Sequence, residues 1–195
     1  FGEAEGWKGN RPHHEYNVGT TSGDWYSGKL NEDGIPISVM RDGTRKGYAF
    51  IHFDGNQYTT EYKVAGKPKE YQMEIFAPKV VAQGRNTKAG IYANFFMGSK
   101  NDTLLYRVDD GEWEKMYYVE DRDPAYVALV NEWDTTEKLM PGRRSSTPIN
   151  STHLWRGNIP VKLEVGEHQI EVKATDQYGK TYMGTSSYRL EKAVE

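Results

Sequence analysis

From Gly47 onward, apolar and polar residues alternate in short runs that end at turn residues. "GYAFIHFDGNQYTTEYKVAG" reads as a β-hairpin. Phe50 and His52 lead into an Asp54-Gly55-Asn56 turn, and the alternation resumes through Tyr58, Thr60 and Tyr62. "YQMEIFAP" predicts a strand closed by Pro78, which has no N–H to give to a ladder. "GIYANFFMG" is apolar enough to be a central strand, and "TLLYRVDDGEWEKMYYV" predicts a hairpin turned at Asp110-Gly111, where both positions tolerate positive φ.

The period then changes. Asp123 is the expected N-cap of a helix and Pro124 fits its first position. Tyr126, Leu129, Val130 and Trp133 recur at helical spacing and form one apolar stripe, and the helix is expected to end near Asp134-Thr135-Thr136. "LMPGRRSSTPINST" follows as a loop. Strands resume with "HLWRG" and "VKLEVG", and the chain closes on a hairpin, Gln169–Ala174 against Thr181–Leu190, turned by "DQYG". Short strands at regular spacing from about Tyr71 predict a mainly β, antiparallel β-sandwich, with Arg122–Thr152 inserted between two strands. Residues 1–46 are irregular, apart from one short strand expected near Glu15–Thr20.

Composition narrows the function classes. The net charge of −3 is spread without a basic stripe, so nucleic acid has no electrostatic foothold. No apolar run is long enough to span a bilayer. Cysteine is absent, which removes disulfides, thiolate metal sites and thiol nucleophiles. "NDT" at Asn101 and "NST" at Asn150 fit a glycosylation pattern that also arises by chance. The chain opens on "FGEAEGWKGN" with no initiator Met or leader, as a mature or processed form would.

Chemistry-bearing motifs are scarce. The five His are His13, His14, His52, His153 and His168, and neighbours such as His13-His14 face opposite ways on a strand. No HExxH, GxSxG, GxxxxGK[ST] or GxGxxG occurs, and Asp109-Asp110 is explained by turn chemistry. Two constellations remain. In "SGDWYSG", Trp25 and Tyr26 stand between glycines beside an acid, as the wall of a pocket or as the cap of a tight turn. In "PGRR" and "STHLWRG", Arg143, Arg144 and Arg156 can grip an anion with His153, Trp155 and the helix residue Trp133 nearby. The plainer alternative is solvated arginines around a buried Trp.

These stretches, with "YNVGTTSGDWYSG", "DGIPISVMRDGTRKGYAFIHFDGNQYTTEYKVAG" and "GEHQIEVKATDQYGKTYMGTSSYRL", resemble the C-terminal part of bacterial calcineurin-like metallophosphoesterases, from about His14 to the end of the chain. The resemblance implies a central catalytic domain, upstream, that binds two divalent metal ions through DxH, GD, GNH and GHTH motifs. None of these is in this chain, and Arg11-Pro12 and Glu15-Tyr16 around His13-His14 do not reproduce GHTH. No metal ligand or catalytic residue is therefore carried over. The resemblance implies that residues 1–66 are the end of the phosphoesterase domain. It implies that residues 70–195 form an immunoglobulin- or fibronectin III-like sandwich, with the insertion at about 122–152. The expected role is a non-catalytic accessory region that packs over the active-site mouth, outside the cytoplasm, where a phosphate ester is met. The alternative is a module binding carbohydrate through its exposed aromatics.

Overall fold

The computed structural model describes residues 3–10, 15–26 and 28–193. The pair His13-His14 lies outside them. The fold is mainly β, with one α-helix and three sheets among the described residues.

Strands β1 (Gly47–Asp54) and β2 (Gln57–Val64) form a sheet of two, the expected hairpin, with Asp54 paired opposite Gln57 so that only Gly55 and Asn56 make the loop. β3 (Met73–Phe76), β5 (Gly90–Phe95), β9 (Asn150–Asn158) and β8 (Tyr117–Arg122) make a second sheet in that order. The third runs β4 (Val80–Ala82), β11 (Thr181–Glu191), β10 (Gly166–Thr175), β6 (Thr103–Val108), β7 (Glu114–Lys115). All pairs are antiparallel except β4 with β11.

Alternation explains why the two larger sheets share a core. On β10, Ile170, Val172 and Ala174 are fully buried. They meet Leu104 and Tyr106 of β6, Ile91, Ala93 and Phe95 of β5, and Trp155 of β9 in one cluster. Burying each large apolar side chain is worth roughly 1.5–3 kcal/mol. β5 lies between two strands and is buried almost throughout, as its unbroken apolar run requires. A smaller cluster of Tyr62, Val64 and Phe96, with Val18 and Ala49 against it, roots the β1–β2 hairpin.

The helix α1 (Pro124–Thr135) is the predicted one. Asp123 caps it by accepting from Tyr126 N–H, Pro124 sits in its first turn, and Tyr126 and Val130 are buried. Helix and following loop connect β8 to β9.

Four local expectations give way. Glu15–Thr20 is extended but pairs as no strand. Thr20 C=O accepts from both Gly23 and Gly47 N–H, and a Cβ on Gly19 would stand 2.4 Å from Met40 Cε, so close packing replaces a ladder. "VKLEVG" is irregular before Gly166. Pro160 cannot donate, and the carbonyls of Val161, Leu163 and Glu164 are taken by Gly84 N–H, the Gln83 amide and His168. The turn after β6 puts positive φ on Asp109 (52°), not on Asp110-Gly111, with Gly111 N–H bonded to Val108 C=O. The return strand of that hairpin also divides. β7 pairs with β6 for two residues, buried Met116 donates to Leu104 C=O, and β8 then crosses to pair with β9.

Candidate interface at the insertion

The two constellations singled out in the sequence meet in space. Gly28 (φ 94°) approaches Gly142 (φ 91°) so closely that a Cβ on Gly28 would lie 2.7 Å from Gly142 Cα. Only glycine combines that conformation with that approach. The contact seats the Arg143 guanidinium over the Trp25 ring, 5.3 Å from its centroid. Trp25 is 66% exposed and Tyr26 49%, so the pair faces solvent. Lys29 reaches Glu132 of α1 at 3.4 Å, Arg41 Nε donates to Thr147 C=O, and Ile149 N–H donates to Arg41 C=O. Segment 20–45 and the insertion thus lie along one another.

The other predicted residues sit elsewhere. Arg144 is held by Asp134 at the end of α1, Nε to Oδ1 at 2.5 Å and NH2 to Oδ2 at 2.8 Å, and NH1 donates to Ser145 C=O. Its guanidinium is engaged in this exposed ion pair. Trp133 is half-buried on α1. Trp155 is 2% exposed and packs against Phe95 and Tyr118, so it belongs to the core rather than to any ligand surface. Arg156 lies over Tyr92 and donates to Lys88 C=O. Alternation separates it from its neighbour: the strand turns Trp155 inward and leaves Arg156 partly exposed.

His153 is 6% exposed and sits in a buried polar network. The Asn94 amide nitrogen donates to Asp42 C=O at 2.9 Å and to Asp123 Oδ2 at 3.0 Å. Its oxygen is thereby left to accept from His153 Nδ1 at 2.8 Å. On the other side of the ring, Nε2 lies 3.1 Å from Thr44 Oγ1 and 3.3 Å from Asp42 Oδ2. Ser151 Oγ completes the set, 3.2 Å from Nδ1. Burial works against the Asp42 carboxylate, but the neighbouring His153 ring and the hydrogen bonds with Thr44 outweigh it and hold the carboxyl below the ordinary range. At Asp123 burial wins: bonds from Asn94 and from the Tyr126 and Ala125 amides do not offset it, and the carboxyl is pushed above its ordinary range.

This network was missed in the sequence. "RDGTRKG" reads as a turn, and its Gly43 (φ 88°) is where the turn meets the network. A Cβ there would stand 2.4 Å from Asp123 Cγ and 2.7 Å from the Asn94 amide nitrogen. The one available signal was Asn94, a polar residue inside the apolar run "GIYANFFMG". With both ring nitrogens engaged, the network clamps the 41–45 turn to β5, β9 and the start of α1. It offers no open coordination position.

Beside the clamp lies a groove of about 580 Å³, bounded in part by Tyr16, Val18, Met40, Met97 and His153. Among the described residues its lining contains Glu15 and Asp42 and no Lys or Arg, a balance that disfavours a phosphate ester. Among the described residues no three His, Cys, Asp or Glu side chains converge to hold a metal ion, so those residues do not make a two-metal centre. No helix of the described residues is long and apolar enough to cross a membrane.

A search of curated proteins found none that matches the chain. The family model "C terminal of Calcineurin-like phosphoesterase" matches residues 15–182, which takes in the Trp25–Arg143 pair, the clamp, the insertion and nearly all of the core. The chain belongs to this family of C-terminal domains of calcineurin-like phosphoesterases.

Proposed function

We propose that this chain is the non-catalytic accessory region of a bacterial, extracytoplasmic phosphoric ester hydrolase, whose two-metal catalytic domain lies upstream. One observation carries the reading: the family match spans residues 15–182, while the described residues gather no metal-ligating cluster. In two-metal phosphoesterases the ions activate a water and clamp the phosphate oxygens. That chemistry needs ligands, and the residues described here do not supply them. Purified chain, with manganese added, is expected not to hydrolyse a chromogenic phosphate ester. Metal-dependent turnover would overturn the reading.

Within it, we read the two larger sheets as the layers of an immunoglobulin- or fibronectin III-like sandwich. The orders β3-β5-β9-β8 and β11-β10-β6-β7 correspond to A-B-E-D and G-F-C-C′, with β4 an added edge beside G and α1 inserted between D and E. Residues 1–66 lead out of the catalytic domain and 70–195 form the accessory domain. The insertion lies over the active-site mouth, and Arg143 on Trp25 is the cation that meets the phosphate ester. Its geometry supports this role, because Arg143 is the insertion arginine whose guanidinium rests on an exposed ring rather than in an ion pair.

A second reading rests on the same exposed aromatics. Trp25 and Tyr26 side by side are a flat platform of the kind that stacks on sugar rings. Calorimetric titration of the chain with soluble glycans separates the two, since binding in the absence of the upstream domain favours a carbohydrate module.

A further inference from the structure

Another cavity, of about 590 Å³, lies between segment 31–38 and the end of β2. Its volume is that of a small-molecule site. Backbone bonds fix both of its walls. On one, Asn31 Oδ1 accepts from the N–H groups of Asp33 and Ile35, at 3.1 and 2.8 Å, and Ile37 N–H donates to Lys29 C=O. On the other, Ala65 N–H donates to Lys46 C=O at 2.9 Å, and Lys67 N–H donates to Val64 C=O. Lys46 Nζ donates to Pro36 C=O and ties one wall to the other. Ile35 and Ile37, 44% and 37% exposed, give the first wall an apolar surface.

The charges of the lining do not cancel. Among the described residues it holds the cations Arg45, Lys46 and Lys67 against the carboxylates Asp33 and Glu74. Arg45 Nε pairs with Glu74 Oε2 at 3.0 Å, and the Tyr71 hydroxyl donates to the same oxygen. Burial opposes charge on Glu74, but Arg45, the Tyr71 hydroxyl and Lys67 together hold its carboxyl below the ordinary range. With the Arg45–Glu74 pair set aside, Lys46 and Lys67 stand against Asp33, so the lining keeps a positive surplus. Lys46 rests on a carbonyl, and Lys67 lies over the Tyr71 ring, 5.6 Å from its centroid. The groove beside the clamp has the opposite balance. We infer that this cavity binds a small amphipathic anion, its carboxylate or phosphate on Lys46 and Lys67 and its apolar body along Ile35 and Ile37. Lysine is a compact point charge, which suits an anionic head of either kind. Trp25 and Arg143 are not in this lining, so the inference stands apart from the lid.

The test is a titration of the isotope-labelled 195-residue chain, followed by its backbone amide resonances. The probes are benzoate and phenyl phosphate, with benzyl alcohol, benzylamine and inorganic phosphate as controls. Both anions are expected to shift the amides of Ile37, Lys46, Ala65 and Lys67 in a saturable way, and the tighter one identifies the head group. Benzyl alcohol and benzylamine lack the negative charge and are expected to bind about fivefold more weakly, the size of one partly exposed ion pair. Inorganic phosphate lacks the apolar body and is expected to bind about tenfold more weakly, as burial of part of a ring implies. Lys46→Met and Lys67→Met should each weaken both anions about fivefold, while resonances away from the cavity stay in place and show each variant folded. No saturable shift at these amides overturns the inference. So does equal binding of benzyl alcohol or of inorganic phosphate, and so does an anion affinity unchanged in both variants.

Discussion

Asp109 serves a turn and a buried histidine at once. It adopts φ 52°, accepts from Gln169 N–H at 2.9 Å, and holds His168 Nδ1 at 2.8 Å, while His168 Nε2 donates to Glu164 C=O at 2.8 Å. Burial opposes charge on the His168 ring, but the bonds to Asp109 and Glu164 C=O prevail and raise its pKa, with Glu167 adding to the effect. Asp109 is shifted the other way. Burial raises it, and the bonds from His168 and Gln169 more than reverse this. A raised histidine contributes stability that is complete below about pH 6.5 and lost as pH rises through its folded value. A lowered carboxyl contributes stability that is complete above about pH 4 and lost as pH falls through its folded value. The pair therefore helps most between these limits. Asp109→Asn is expected to cost about 1–3 kcal/mol at pH 5.5 and less at pH 8.5, read from urea midpoints. An equal cost at both pH values would show that the ion pair contributes nothing. From the sequence Asp109-Asp110 was legible as a turn, but not which of them turns left-handed, and His168 read as strand decoration.

At the scale of the element, α1 was legible in full. Cap, first-turn proline and apolar stripe are all local signals, and each is where it was expected. What the helix is fastened to was not legible. Asp123 gives one oxygen to the cap and the other to Asn94, 29 positions away in the chain. Asp123→Ala removes a cap worth about 1 kcal/mol and leaves a buried amide donor without a partner, at about 1–3 kcal/mol. A loss of about 2–4 kcal/mol in denaturant unfolding is expected, and a loss no larger than an ordinary surface substitution would refute the coupling. The "VKLEVG" segment shows the opposite case. Its pattern is that of a strand, but two of its carbonyls are taken by the distant Gln83 and Gly84 and a third by His168, which alternation does not foretell.

At the scale of the whole molecule, two sequence candidates separate by what lies over them. Trp155→Ala empties a core site and is expected to cost about 3–5 kcal/mol. Arg143→Ala should leave stability within about 0.5 kcal/mol, as an exposed substitution does, and in the full-length enzyme it should raise KM for the phosphate ester severalfold. Unchanged kcat and KM for the Arg143 variant would remove the lid from the proposed function. A near-neutral Trp155 variant would return that residue to the surface.

The sequence by itself determined the strands of the final hairpin, the β1–β2 hairpin, the helix with its cap, and the family. All of these rest on periods of two or 3.6 residues, on turn chemistry, or on motifs contiguous in the chain. The tertiary structure alone decided that Trp25 is exposed while Trp155 is buried, that Arg144 is paired while Arg143 lies on a ring, and that Asp42, Asn94, Asp123 and His153 form one clamp. His153 and Asp42 are 111 positions apart. Local periodicity tells which side of a strand a residue takes, but its surroundings depend on which distant segment the fold lays against that side.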